Sequence, residues 1–145
     1  MSIESDIVDK IKLVIQTEVP EVVYVSFDKI KLAIGDFAAH ELPAVQIWDN
    51  GQTPVHERGR ILVDWNLSLE LIMKSDIGGE VNQKDLLELR RKIQLALWED
   101  PKLGIPQMVH LIYTGNTTDL HLLEPYYIAR IDFVARYYDS LTGTC

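Results

Sequence analysis

The run from Ile61 to Lys74 constrains the fold most. Ile61, Val63, Trp65, Leu67, Leu69, Leu71 and Met73 alternate with Leu62, Asp64, Asn66, Ser68, Glu70, Ile72 and Lys74. A period of two held this long predicts a strand with one apolar face buried and an opposite face that is mostly polar. Such a strand needs a partner strand and a layer to cover it. Tyr127, Ala129, Ile131, Phe133, Ala135 and Tyr137 alternate with Ile128, Arg130, Asp132, Val134 and Arg136 and supply the partner. The first run is about twice the usual strand length, so a twist or bulge is expected within it.

The covering layer is legible as two helical stripes. Ile3, Ile7, Val8, Ile11, Val14 and Ile15 recur at helical spacing until Pro20 stops the pattern. Leu86, Leu89, Ile93, Ala96 and Leu97 form a second stripe, with Asn82 as its expected N-cap and Pro101 as its end. Shorter strands are expected at Val22–Phe27, at Ala44–Trp48 and at Met108–Thr114. Asp49-Asn50-Gly51, Asp76-Ile77-Gly78-Gly79 and Gly115-Asn116 read as turns, and Gln52–Gly59 reads as an exposed loop or hairpin tip. Lys29–Phe37 fits a short strand or an irregular crossing broken at Gly35-Asp36. The order α-β-β-β-α-β-β predicts a two-layer α+β domain, a mixed and mainly antiparallel sheet with two helices packed on one face. No linker or repeat divides the 145 residues, so one domain is expected over 1–145, with the last few residues disordered.

Composition excludes several classes of function. The lone cysteine, Cys145, offers neither an intramolecular disulfide nor a thiolate zinc site. The first residues are polar and acidic, unlike a secretory signal, and no apolar run nears the ~18 residues of a membrane span. Those features predict a protein folded in a reducing cytosol. A net charge of −8 opposes tight non-specific binding to nucleic acid, which relies on Lys and Arg neutralising phosphates. Arg90-Arg91-Lys92 is a short basic run in an acidic domain, and a solvated helix face accounts for it.

A catalytic or metal site has little material. Of the four histidines, His40 and His56 each precede a glutamate, but no second histidine follows at helical spacing as a zincin would require. No Ser sits in a Gly-x-Ser-x-Gly elbow, and Gly78-Gly79 lacks the Lys-Ser/Thr of a phosphate loop. Asp64 and Glu70 lie six residues apart, roughly 20 Å along a strand, too far to act on one bond. No catalytic residue, cofactor or metal is expected. The polar face of the two long strands, with Asp64, Glu70, Arg130, Asp132 and Arg136 and with Tyr138 nearby, reads either as a wet sheet face or as a subunit contact whose mixed charges set register.

The layout as a whole resembles a known family. The opening helix is followed by Leu42-Pro43-Ala44-Val45 at a strand start, a charged loop, and the long strand ending near Met73-Lys74. Then come a helix to Trp98, the segment Leu97-Trp98-Glu99-Asp100-Pro101-Lys102-Leu103-Gly104, and a last strand closing on Tyr137-Tyr138. In this order the chain resembles the tail terminator (tail-completion) proteins of tailed bacteriophages and the related minor tail and neck proteins, over almost its whole length. One departure is that Ile105-Pro106 follows the Leu-Gly step, where such proteins often carry another glycine.

The resemblance implies a virion structural protein at the head-proximal end of the tail, assembled in the host cytoplasm. It implies a homo-oligomeric ring, commonly of six copies, that caps the tail tube, stops its polymerisation and joins it to the head-tail connector protein. DNA would pass through the lumen without specific binding. Under that reading His56, Glu57, Arg58 and Arg60 are candidates for docking on the tail tube protein. Asp64, Glu70, Arg130, Asp132 and Arg136 are candidates for contact with neighbouring copies or for the lumen. The alternatives are a head-closure or neck ring protein of the same particle, and a small-ligand-binding regulatory domain.

Overall fold

Helix α1 (Ile3–Glu18) starts where the Ser2 hydroxyl accepts the Ser5 amide at 3.1 Å, with Glu4 and Asp6 in its first turn against the positive end of the helix dipole. It ends at Glu18, two residues before Pro20, and the amide of the capping Val19 still bonds to the Ile15 carbonyl at 2.9 Å. The computed structural model describes residues 2–27, 43–74, 80–119 and 126–140. Over these residues the remaining elements are β1 (Tyr24–Ser26), β2 (Ala44–Glu57), β3 (Arg60–Lys74), α2 (Glu80–Glu99), β4 (Met108–Asp119) and β5 (Tyr126–Ser140). The expected order of two helices and five strands is the order found.

The strands form one sheet in the order β1-β2-β3-β5-β4. β1 runs parallel to β2, and every other neighbour is antiparallel. The two long alternating runs lie at the centre and pair directly, from Arg60 opposite Ser140 to Lys74 opposite Tyr126 without a register shift. Val63, Trp65, Leu67, Leu69 and Leu71 of β3 thus share a face with Ala129, Ile131, Phe133, Ala135 and Tyr137 of β5, and all of them are buried. Ile7, Ile11 and Ile15 of α1 and Leu86, Ile93 and Leu97 of α2 join the same core. The two helices therefore cover one face of the sheet, in two layers.

Several expected boundaries move. Of the twist or bulge expected within β3, no bulge appears there; the register shifts fall in β2 and β4 instead. β2 shifts register between Asp49 and Gln52, and β4 shifts between Met108 and His110 and again between Tyr113 and Gly115. A central strand bonded on both sides loses ladder bonds to two neighbours if it bulges. Strands nearer the edge adapt at lower cost. Asp49-Asn50-Gly51 is accordingly a bulge rather than a turn, with Gly51 at φ +99, a left-handed conformation that favours glycine.

β2 continues through Gln52–Glu57, so the expected loop is a strand, and the hairpin tip is only Arg58-Gly59. Among the described residues β1 pairs with β2 only over Ala44–Gln46, which leaves the far half of β2 as an edge there, where Pro54 is tolerated. Likewise β4 runs through Gly115 and Asn116. α2 begins at Glu80, so Asn82 is its third residue and not its cap. The strand expected at Val22–Phe27 is reduced to three residues. The expectations for Lys29–Phe37, His40, Asp76–Gly79, His121 and the terminal residues with Cys145 lie outside the described residues.

The segment between α2 and β4 is a chain of turns. The Leu103 amide bonds to Asp100, Ile105 to Lys102 and Met108 to Ile105, at 3.0 to 3.1 Å. Leu103 takes a positive φ of 54, a strained choice for a branched residue, yet its side chain is buried in the core. Burial of that leucine, worth roughly 1.5–3 kcal/mol, offsets a backbone cost of similar size.

Candidate functional site

The face of the sheet opposite the helices is organised in cross-strand rows. Starting from the β3–β5 register, Asp64 lies opposite Arg136, Ser68 opposite Asp132, and Glu70 opposite Arg130. Each row joins groups that attract. Arg136 binds Asp64 through two hydrogen bonds, Nε to Oδ1 at 2.7 Å and a terminal nitrogen to Oδ2 at 2.9 Å. The Ser68 hydroxyl donates to Asp132 Oδ1 at 2.7 Å, and Arg130 Nε donates to the same oxygen at 2.8 Å. The Asn50 side-chain amide, carried there by the β2 bulge, donates to Ser68 Oγ at 2.5 Å. A slip of one residue would break every row, so this face also holds the register of the two central strands.

The carboxylates on this face differ in character. The hydrogen bond from Arg136, reinforced by its charge, holds Asp64 below the usual aspartate range, and Asp64 in turn raises Arg136. Burial pushes Asp132 up, but hydrogen bonds from Ser68 and Arg130 outweigh it, and the net shift is downward. Glu70 goes the other way. Burial raises it, and the charge of Arg130 offsets only part of the effect.

The sign of each shift sets a pH dependence. Asp64, lowered in the fold, contributes stability above the ordinary carboxylate range that is lost as pH falls through its depressed pKa. The Asp64–Arg136 pair is about one-third exposed, so its contribution stays within about 1 kcal/mol. Glu70, raised in the fold, costs stability once pH rises past its elevated pKa. Glu70→Gln is therefore expected to raise the thermal midpoint at neutral pH, and the gain should vanish below the ordinary glutamate range. Thermal unfolding followed by circular dichroism at both pH values checks this, and destabilisation at neutral pH would contradict it.

The other predicted group sits at the hairpin end. Glu57 and Arg60 are the last paired residues, and Arg60 Nε donates to Glu57 Oε2 at 3.1 Å. The Arg60 guanidinium also lies 3.9 Å from the centroid of the Tyr138 ring, a cation–π contact that ties the hairpin to β5. Arg58 is exposed in the tip, and His56 is exposed on β2 opposite Ile61. From Asp49 to His56 every residue of β2 is exposed, and beyond Gln52, which hydrogen-bonds Tyr137, the strand leads outward to the tip. The nine predicted residues thus fall in two groups, four around the tip and five on the outer face.

Three features were not in the predicted set. Gln46 and Ser68 are polar, on the outer face and almost fully buried. Ala44 and Ile72 form a small second apolar cluster on that face, with Tyr24 and Ile128 against it. On the helix side, the Tyr137 hydroxyl donates to Glu4 Oε1 at 2.8 Å and accepts from Gln52 Nε2 at 3.1 Å. Burial and the adjacent Glu4 push the Tyr137 phenol far up, so it stays a neutral donor. These contacts join residues 85 and 133 positions apart, and no local sequence signal announces them.

Among the described residues, no cluster of three or more His, Cys, Asp or Glu side chains could hold a metal ion, and no helix is long and apolar enough to cross a membrane. No known protein-family model matches the chain, and no curated protein matches it.

Proposed function

We propose that this chain is a virion structural protein, a tail terminator whose copies form a ring on the end of a bacteriophage tail tube. The ring stops polymerisation on one side and meets the head-side connector on the other. Its mechanism is recognition by shape and charge, and no covalent bond changes. The observation that carries this reading is the far half of β2, exposed at every residue from Asp49 to His56 and leading into the hairpin tip at Arg58. An exposed strand segment this long is suited to contact with another chain.

The resemblance in element order supports the same reading, as does the patterned outer face. Its charges are already paired within the chain, so a neighbour must match a preformed array, which favours specificity over affinity. The net charge of −8 suits a lumen through which DNA slides without sticking.

A second reading, a small-ligand-binding domain, draws on a pocket of about 620 Å³ between α1 and β2. Electron microscopy of particles assembled without this chain separates the two. Overlong or headless tails support termination, and tails of normal length joined to heads oppose it.

A further inference from the structure

The pocket beside α1 has a definite chemistry. Glu4, Asp9 and Lys12 line it from the helix, Asp49 and Gln52 from the β2 bulge, and Trp65 with Phe27 from the apolar side. The two aromatic rings pack edge to face with centroids 6.4 Å apart. Asp49 Oδ1 accepts the Gly51 amide at 2.8 Å and the Trp65 indole at 2.9 Å, while Glu4 Oε1 accepts the Tyr137 hydroxyl. Two carboxylates are therefore fixed in place, each through one oxygen. Three carboxylates against one lysine leave the pocket negative.

Carboxylates beside an aromatic wall suit a guanidinium better than an ammonium. The guanidinium is planar and weakly hydrated, stacks on rings, and donates in a fork that matches a carboxylate. The chain displays such a group at the hairpin tip, where Arg58 is exposed. Arg58 cannot reach the pocket of its own chain. It lies six residues from Gln52, roughly 20 Å along the strand. We infer that the pocket between α1 and the β2 bulge receives Arg58 from a second copy of this chain. The inference rests on the ring reading and gives it a contact. Tip and pocket are different surfaces, so the contact is head-to-tail and generates a closed ring where the rotation allows.

Charge reversal tests this without touching the core, because Arg58 and Asp9 are both exposed. In sedimentation velocity, Arg58→Glu and Asp9→Lys are each expected to weaken self-association about tenfold or more. The double variant, and an equimolar mixture of the two single variants, should regain part of it, since Asp9→Lys brings the pocket from net negative to neutral and so removes its repulsion of the Arg58→Glu tip. Single variants that associate like the wild type, or a double variant that stays dissociated, overturn the assignment.

Two outcomes separate this inference from the reading beneath it. Wild-type rings indifferent to both substitutions sink the pocket contact and leave the ring. A wild type that remains monomeric, while its Trp65 indole N–H resonance shifts on titration with N-acetyl-arginine amide, overturns the second copy as occupant together with the ring.

Discussion

Trp65→Ala is expected to remove about 3–5 kcal/mol of unfolding free energy, the range for truncating a buried tryptophan. Trp65 is 2% exposed and sits on the buried face of the central strand. Its loss leaves a cavity under α1, removes the edge-to-face contact with Phe27, and strips Asp49 of the indole that orients it. Domains of this size hold only about 5–15 kcal/mol in total, so the variant would sit near the unfolding threshold. The thermal midpoint should fall by about 6–20 °C, taking about 2–4 °C per kcal/mol. A fall of only a few degrees would mean that the surrounding side chains collapse into the space, and that the pocket wall is softer than its packing suggests.

Deleting Val134 is expected to abolish cooperative folding. β5 is bonded on both sides, to β3 and to β4, and its pairing with β3 has no irregular step to absorb a missing residue. Drawing the chain in by one residue would turn Arg136 and Tyr138 towards the core and Tyr137 out of it. An unpaired buried arginine alone costs about 3–5 kcal/mol, and the Asp64 left behind would lose its partner. The substitution Val134→Ala is the control. Val134 is only partly buried on the outer face, so the cost should stay near 1 kcal/mol. Circular dichroism and urea unfolding of both variants distinguish a register effect from simple loss of a valine. A deletion variant that unfolds cooperatively near the wild-type midpoint would show that β5 can slip.

The central strands and both helices were legible because one face of each is buried against a single core. Trp65, Leu67 and Leu69 on β3, and Ile7, Ile11 and Ile15 on α1, carry their period in plain view. Past Trp48 the sequence of β2 reads as turn and loop, because Asp49-Asn50-Gly51 and Pro54 are the ordinary signs of both. Where β2 has, among the described residues, β3 alone as a partner, the same residues build a bulge and occupy an edge. β4 hid its continuation in the same way, at Gly115 and Asn116.

The outer-face candidates follow from strand parity alone, and the register then pairs Asp64 with Arg136 across the strands. Parity does not reveal that the bulge carries Asn50 onto Ser68, or that Glu4, Tyr137 and Gln52 meet. The acidic pocket was invisible for that reason. Its walls come from four distant segments, and its shape depends on a bulge that the residues do not signal.

The claim beneath the functional reading is that copies of this chain associate into a closed body of fixed size. Native mass measurement with electron microscopy of the purified chain, at rising concentration and in the presence of tail tubes, tests it most directly. The account predicts ring-shaped particles of a single stoichiometry, commonly six copies. A chain that stays monomeric under every condition, or that polymerises without closing, contradicts it.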